Sequence, residues 1–192
     1  MTSVSTSLSD HDRSLLLDIA SQSIDHGLAH HESLSVNPTD YPESLQTIRA
    51  SFVTLKIANQ LRGCIGHLEA VQPLVSDVAE NAYAAAFRDP RFPPVSVLER
   101  DQIEIHLSLL TPSIAIEFDS EADLLSKIRP GKDGLIMIEG YRRGTFLPSV
   151  WESLPNPKDF VDQLKLKAGL PSNYWSNSLE VMRYESESIP EE

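Results

Sequence analysis

Leu61-Arg62-Gly63-Cys64-Ile65-Gly66 gathers the only cysteine, two of the eight glycines and an arginine into six residues. Ahead of it, Val53, Leu55 and Ile57 alternate with Thr54, Lys56 and Ala58, the period-two pattern of a strand with one buried face. Asn59-Gln60 reads as a tight turn. The return strand then carries Leu61, Gly63 and Ile65 on one face and Arg62, Cys64 and Gly66 on the other. On this reading the thiol points away from the apolar anchors of the hairpin.

Working outward, Pro73 opens a helix at its first turn, where a missing amide donor costs nothing. Leu74, Val78, Ala82 and Ala85 form its inward stripe, and its many alanines predict close packing on the cysteine strand. Arg88-Asp89-Pro90-Arg91-Phe92-Pro93-Pro94 stops that helix, because prolines remove donors and bias their predecessors away from helix. A loop this rigid, with two arginines and an aspartate, is either a salt-bridged helix end or a binding loop. Ile103, Ile105, Leu107 and Leu109 alternate with Glu104, His106 and Ser108 in another strand.

Toward the N-terminus, Ser9 and Asp12 form a capping-box start to a helix whose stripe is Leu16, Ile19, Ala20, Ile24 and Leu28. Residues 31–46 read as a polar loop. In the second half, Leu124, Leu125 and Ile128 fit a short helix, Leu135–Ile138 a buried strand and Gly140–Gly144 a loop. Phe160, Val161, Leu164 and Ala168 mark a last helix, and Leu179, Val181 and Arg183 a last strand. Strands and helices mix without a βαβ rhythm or a Gly-rich phosphate loop. The expected class is therefore α+β with a mainly antiparallel sheet flanked by helices, preceded by a small, polar and disordered stretch of seven residues.

The bulk numbers narrow the function. Against 28 acidic residues stand 16 basic ones, a net charge of −12, so the average surface repels a phosphate backbone and nucleic acid is not an expected partner. One cysteine forms no internal disulfide, and the start of the chain has neither the basic nor the apolar region of a signal peptide. The longest apolar run, Ala82–Phe87, is far below the ~20 residues that cross a bilayer. These features predict a cytoplasmic protein with no membrane partner.

Residues two apart on a strand lie on one face roughly 7 Å apart, so Arg62 reaches the neighbourhood of Cys64, where a guanidinium favours the reactive thiolate. The candidate bases are His67 and His106. Gly63 and Gly66 leave room for a substrate or for another stretch of backbone. The plainer readings are a cysteine acting as a small buried hydrophobe and a His106 hydrogen-bonded within the sheet. Arg62, Arg88, Arg91, Arg142 and Arg143, if they converge, would prefer a carboxylate or phosphate; otherwise they are scattered surface charge. His26 and His30 have the spacing of a metal-binding pair but no evident third ligand, so neither a metal nor a cofactor is expected.

Taken together, Leu61–Gly66, the run Ala84-Ala-Ala-Phe-Arg-Asp-Pro-Arg-Phe-Pro-Pro94, Ser108-Leu-Leu-Thr-Pro112, Gly144-Thr-Phe-Leu-Pro-Ser-Val-Trp151 and Lys167-Ala-Gly169 resemble the AMMECR-one domain family in order and spacing. The resemblance covers a domain over 10–185, leaving flexible tails at 1–9 and 186–192, and implies two lobes with a cleft between them, the larger lobe holding both termini and the smaller inserted. It implies kinship with the AmmeMemoRadiSam proteins, and hence a Memo-like or a radical-SAM protein as partner. The family's suspected site falls on Arg62, Gly63, Cys64 and Gly66. Two functions follow as expectations. One is a cysteine-dependent enzyme for a small anionic metabolite, with Cys64 as nucleophile or acid/base, Arg62 on the thiolate or the substrate, His67 or His106 moving protons, and Arg91 and Thr145 on the opposite wall. The other is a non-catalytic accessory protein that grips its partner through the cleft.

Overall fold

The computed structural model describes residues 8–190, and the expected disorder of the first seven residues lies outside them. Of the expected flexible tail at 1–9 only Leu8 and Ser9 are described, and Leu8 is buried in the core rather than loose. The described residues form two compact units: 8–110 together with 187–190, and Thr111–Ser186. The first unit thus holds both ends of the described chain, and the second is inserted.

In the first unit, α1 (Asp10–His30) starts at Ser9, whose side chain accepts the Asp12 amide while Asp12 accepts the Ser9 amide. That reciprocal pair satisfies two of the donors a helix start leaves open. A polar stretch containing a short α2 (Glu43–Gln46) leads to β1 (Ser51–Ile57) and β2 (Gln60–Gly66), followed by α3 (Leu74–Phe87) and β3 (Glu104–Leu110). Pro73 lies one residue ahead of α3, as its N-cap. The Leu74 amide donates to Thr47 O, which fixes the helix start against the chain that precedes β1.

The sheet order is β2-β1-β3-β8, where β8 is Ser186–Ile189. Residues 186–189, expected to be tail, are therefore a strand, and Ile189 is buried in the core. Ser186 and Glu187 carry no long apolar run, and pairing to a neighbouring strand is the kind of constraint that local pattern does not report. One face of the sheet carries Val53, Leu55, Leu107 and Leu109, all buried against Leu16, Ile24, Leu74 and Val78 of the helices. Each fully buried Leu or Val contributes about 1.5–3 kcal/mol, so this face fixes the positions of α1 and α3. The other face is polar and half-exposed.

The second unit contains β4 (Ile114–Ala115), α4 (Glu121–Lys127), β5 (Gly134–Glu139), β6 (Arg142–Phe146), α5 (Pro157–Lys167) and β7 (Glu180–Tyr184), with sheet order β4-β7-β5-β6. The stretch expected as a loop at Gly140–Gly144 is largely β6: only Gly140 and Tyr141 turn, and Met137 pairs with Gly144. The core centres on Trp151, stacked on Phe160 at 3.7 Å between centroids and donating its indole N–H to Asp133 O. The pairs β1–β2, β1–β3, β4–β7, β5–β6 and β5–β7 are all antiparallel, and the class is the expected α+β.

Candidate functional site

The hairpin turns at Ala58 and Asn59, both at positive φ, one residue earlier than the expected Asn59-Gln60. A bulge follows, because Leu55 faces Gly63 while Lys56 faces Leu61, leaving Arg62 as the extra residue. An inserted residue breaks simple alternation. Leu61 therefore pairs with Lys56 rather than sharing the face of Gly63 and Ile65, while Cys64 pairs with Thr54.

Thr54 also pairs with His106, so Cys64, Thr54 and His106 stand in one row across three strands on the polar face. The Thr54 hydroxyl lies 3.3 Å from the Cys64 sulfur. Cys64 itself is part-buried and free of any disulfide. At the end of the row, His106 Nε2 stands 4.0 Å from Glu104.

The loop after α3 closes over the free edge of β2. Asp89 Oδ2 accepts the Cys64 amide at 2.9 Å, and Arg91 reaches Cys64 O at 3.4 Å while holding both Asp89 oxygens. The Asp89 side chain is 2 % exposed and that of Arg91 54 %. The Arg91 guanidinium beside it holds the Asp89 carboxyl well below the usual carboxylate range, assisted by the Cys64 amide. In return, Asp89 raises the basicity of Arg91. Sequence reasoning marked this loop but assigned no role to Asp89; its place in the rigid Arg-Asp-Pro-Arg run was the available signal.

Within the first unit the other expected residues separate. Arg62 is not beside the thiol: its guanidinium donates to Glu99 at 2.8 Å and 3.2 Å and to Pro93 O at 2.9 Å, and it lies against the Phe92 ring. That pairing draws the Glu99 carboxyl down to about 2. Gly63 leaves no room for a substrate, since a Cβ there would stand 2.1 Å from Ala85 O of α3. The space at Gly66 is filled by the Phe52 ring. Both glycines thus serve packing within the chain.

His67 continues the inner-face alternation of Gly63 and Ile65, opposite Ser51, and its Nδ1 meets Asp77 at 2.7 Å. It therefore lies on the sheet face away from Cys64, and of the two histidines only His106 shares the thiol's face. Thr145 belongs to the second unit, where its hydroxyl donates to Leu135 O and meets the Tyr184 hydroxyl. Arg142 and Arg143 lie in the same unit on β6, and within the first unit Arg91 touches Cys64. Among the described residues no three His, Cys, Asp or Glu side chains are grouped to hold a metal. No helix among them is long and apolar enough to cross a membrane.

A family model described as AMMECR1 matches residues 17–189. A protein of Methanothermobacter thermautotrophicus is 38% identical over 191 residues, covering 96% of this chain and 97% of that one. One of Thermotoga maritima is 41% identical over 146 residues, 74% of this chain and 79% of that one. The crystal structure of the uncharacterized protein PH0010 from Pyrococcus horikoshii is similar with a TM-score of 0.85 at 33% identity, covering 94% of this chain and 92% of that one.

Proposed function

The chain belongs to the AMMECR1 family, and on that premise we propose that it is a thiol-dependent enzyme acting on a small anionic metabolite at the polar face of the first sheet. The observation that carries this reading is the row Cys64-Thr54-His106, with a hydroxyl 3.3 Å from the sulfur. A hydroxyl can donate to a thiolate, and a histidine on the same face can exchange a proton with a substrate lying over Thr54. Arg91 supplies the half-exposed cation beside Cys64 for the substrate's anionic group. A cytoplasmic setting suits a lone thiol, since that compartment keeps thiols reduced.

Alkylation tests the reading directly. Iodoacetamide modification of Cys64, followed by intact mass between pH 6 and 9, is expected to outpace modification of glutathione and to slow several-fold in Thr54→Val. A folded protein whose thiol reacts no faster than glutathione would remove the enzyme reading.

A second reading rests on another observation: Gly63, Gly66 and Arg62 are all used in the chain's own packing. On that reading the family motif is a scaffold, and the protein is a non-catalytic accessory that grips a Memo-like or radical-SAM partner. Cys64→Ala separates the two readings, because the accessory retains its partner in a pull-down, whereas the enzyme keeps its fold and loses chemistry.

A further inference from the structure

The second unit contains a cavity of about 680 Å³ that none of the candidate site residues lines. Ligand pockets commonly span about 300–1,000 Å³, so its size suits a small molecule. It lies beside the end of β4, which is only two residues long. After Ala115 the Ile116 amide still donates to Val181 O, and Glu117-Phe118-Asp119 continues beyond that last ladder bond. The facing wall is Trp175-Ser176-Asn177. Ser176 and Ser178 tie that wall down, donating to the two oxygens of Glu139 at 2.9 Å and 2.6 Å.

The chemistry of the walls is one-sided. Phe118 and Trp175 form a tilted pair with ring centroids 5.5 Å apart. Glu117, Asp119 and Glu180 supply carboxylates, and no lysine, arginine or histidine lines the cavity. The nearby cations are already engaged. Lys127 donates to Asp123, and buried Lys165 is bound to Glu121 at 2.5 Å. Lys165 also places its ammonium 5.9 Å from the centre of the Trp175 ring, so this indole already faces one cation. Aromatic faces attract cations within about 6 Å, and carboxylates add direct pairing.

We propose that this cavity is a binding site for organic ammonium ions, whose alkyl stem packs on Phe118 and Trp175 while the carboxylates meet the charge. The ligand chemistry is shared by free polyamines and by the lysine side chain of a peptide.

The test is titration of the full chain with cadaverine and with a capped Gly-Lys-Gly peptide, followed by Trp fluorescence and calorimetry. Trp151 is buried against Phe160, whereas Trp175 lines the cavity, so the responsive signal belongs to Trp175. Saturable binding with half-saturation near about 1 mM or below is expected. The triple variant E117Q/D119N/E180Q should weaken it about tenfold or more, while D18N/E43Q/D101N, with the same charge change on the first unit, keeps it within about twofold. Tighter binding of the peptide assigns a protein-borne lysine, and tighter binding of cadaverine a free amine; either upholds the site. No saturable response to either probe, or equal weakening in both triple variants, would overturn it, because the attraction would then be net charge alone.

Discussion

Asp89 holds Cys64 by its main chain: a carboxylate only 2 % exposed accepts the Cys64 amide at 2.9 Å from outside the sheet. The edge strand's open donor is thereby closed, and the sulfur is fixed relative to Thr54. Asp89→Asn presents an amide where two donors converge, so it should cost about 2–4 kcal/mol at pH 7 in urea unfolding. The sign with pH follows from the depressed carboxyl. Its contribution is complete above about pH 4, the ordinary aspartate range, and fades as the pH falls toward the folded value. The variant should therefore lose less stability than the parent on acidification.

Gly63 and Gly131 make a matched pair of alanine substitutions. At Gly63 the new methyl would meet backbone, Ala85 O at 2.1 Å, which cannot swing aside. At Gly131 nothing lies within 4 Å and only the φ of +76° opposes the change. Gly63→Ala is expected to destabilise by about 3 kcal/mol or more and Gly131→Ala by about 1 kcal/mol. Equal midpoints in denaturant would show that α3 can move off the sheet.

The hairpin, α1 with its capping box, α3 and the α+β class were legible because each rests on local periodicity or a local cap. Alternation also put Cys64 on the polar side. What it could not carry was the bulge at Arg62, since one inserted residue leaves composition untouched while redirecting a side chain toward Glu99. The same holds for His67. Counting residues from the motif brings it near Cys64, but strand geometry sends it to the other face. Asp89 and β8 depend on partners far away in sequence, so the hairpin's own pattern does not contain them.

Glu99 should report on the Arg62 anchor in acid. Arg62 and the Ser96 amide hold its carboxyl down at about 2, against an ordinary value of 4.5. The stabilisation is thus present above about pH 4.5 and is lost as the pH falls toward 2. Glu99 is one-third exposed, so solvent screening limits the effect to about 1–2 kcal/mol. Glu99→Gln should be less stable than the parent at pH 6 and converge with it near pH 2 when urea midpoints are compared.

Tyr184 makes the opposite prediction in alkali. Burial raises its phenol to about 12, with the Thr145 hydroxyl opposing slightly. A raised folded value means stability that is complete below the ordinary value near 10 and is lost as the pH climbs toward 12. Ultraviolet titration of the five tyrosines should show one that ionises only with unfolding. Tyr184→Phe should abolish that late step and cost about 1 kcal/mol at pH 7 through the lost bonds to Phe146 O and Thr145.

Asp77 and His67 distinguish a structural network from a catalytic one. Asp77 is 1 % exposed and accepts five hydrogen bonds: from the Ser51 amide and hydroxyl, Asn81, Gln72 and His67 Nδ1. Asp77→Asn turns one acceptor atom into a donor: at the Oδ2 position it meets the Ser51 amide and Asn81, and at Oδ1 it meets Gln72, although His67 can accept there through a change of tautomer. The expected cost is about 3–5 kcal/mol. His67 is 39 % exposed, so water can replace its bond, and His67→Gln should cost only about 1 kcal/mol. The two histidines then differ at Cys64. His67 lies behind the sheet from the sulfur, so His67→Gln should leave the iodoacetamide rate within about twofold of the parent, whereas His106→Gln, on the thiol's own face, should slow it several-fold. The reverse pattern would mean that the reacting proton reaches the sulfur around the edge of β2, and the row through Thr54 would no longer be the working part of the site.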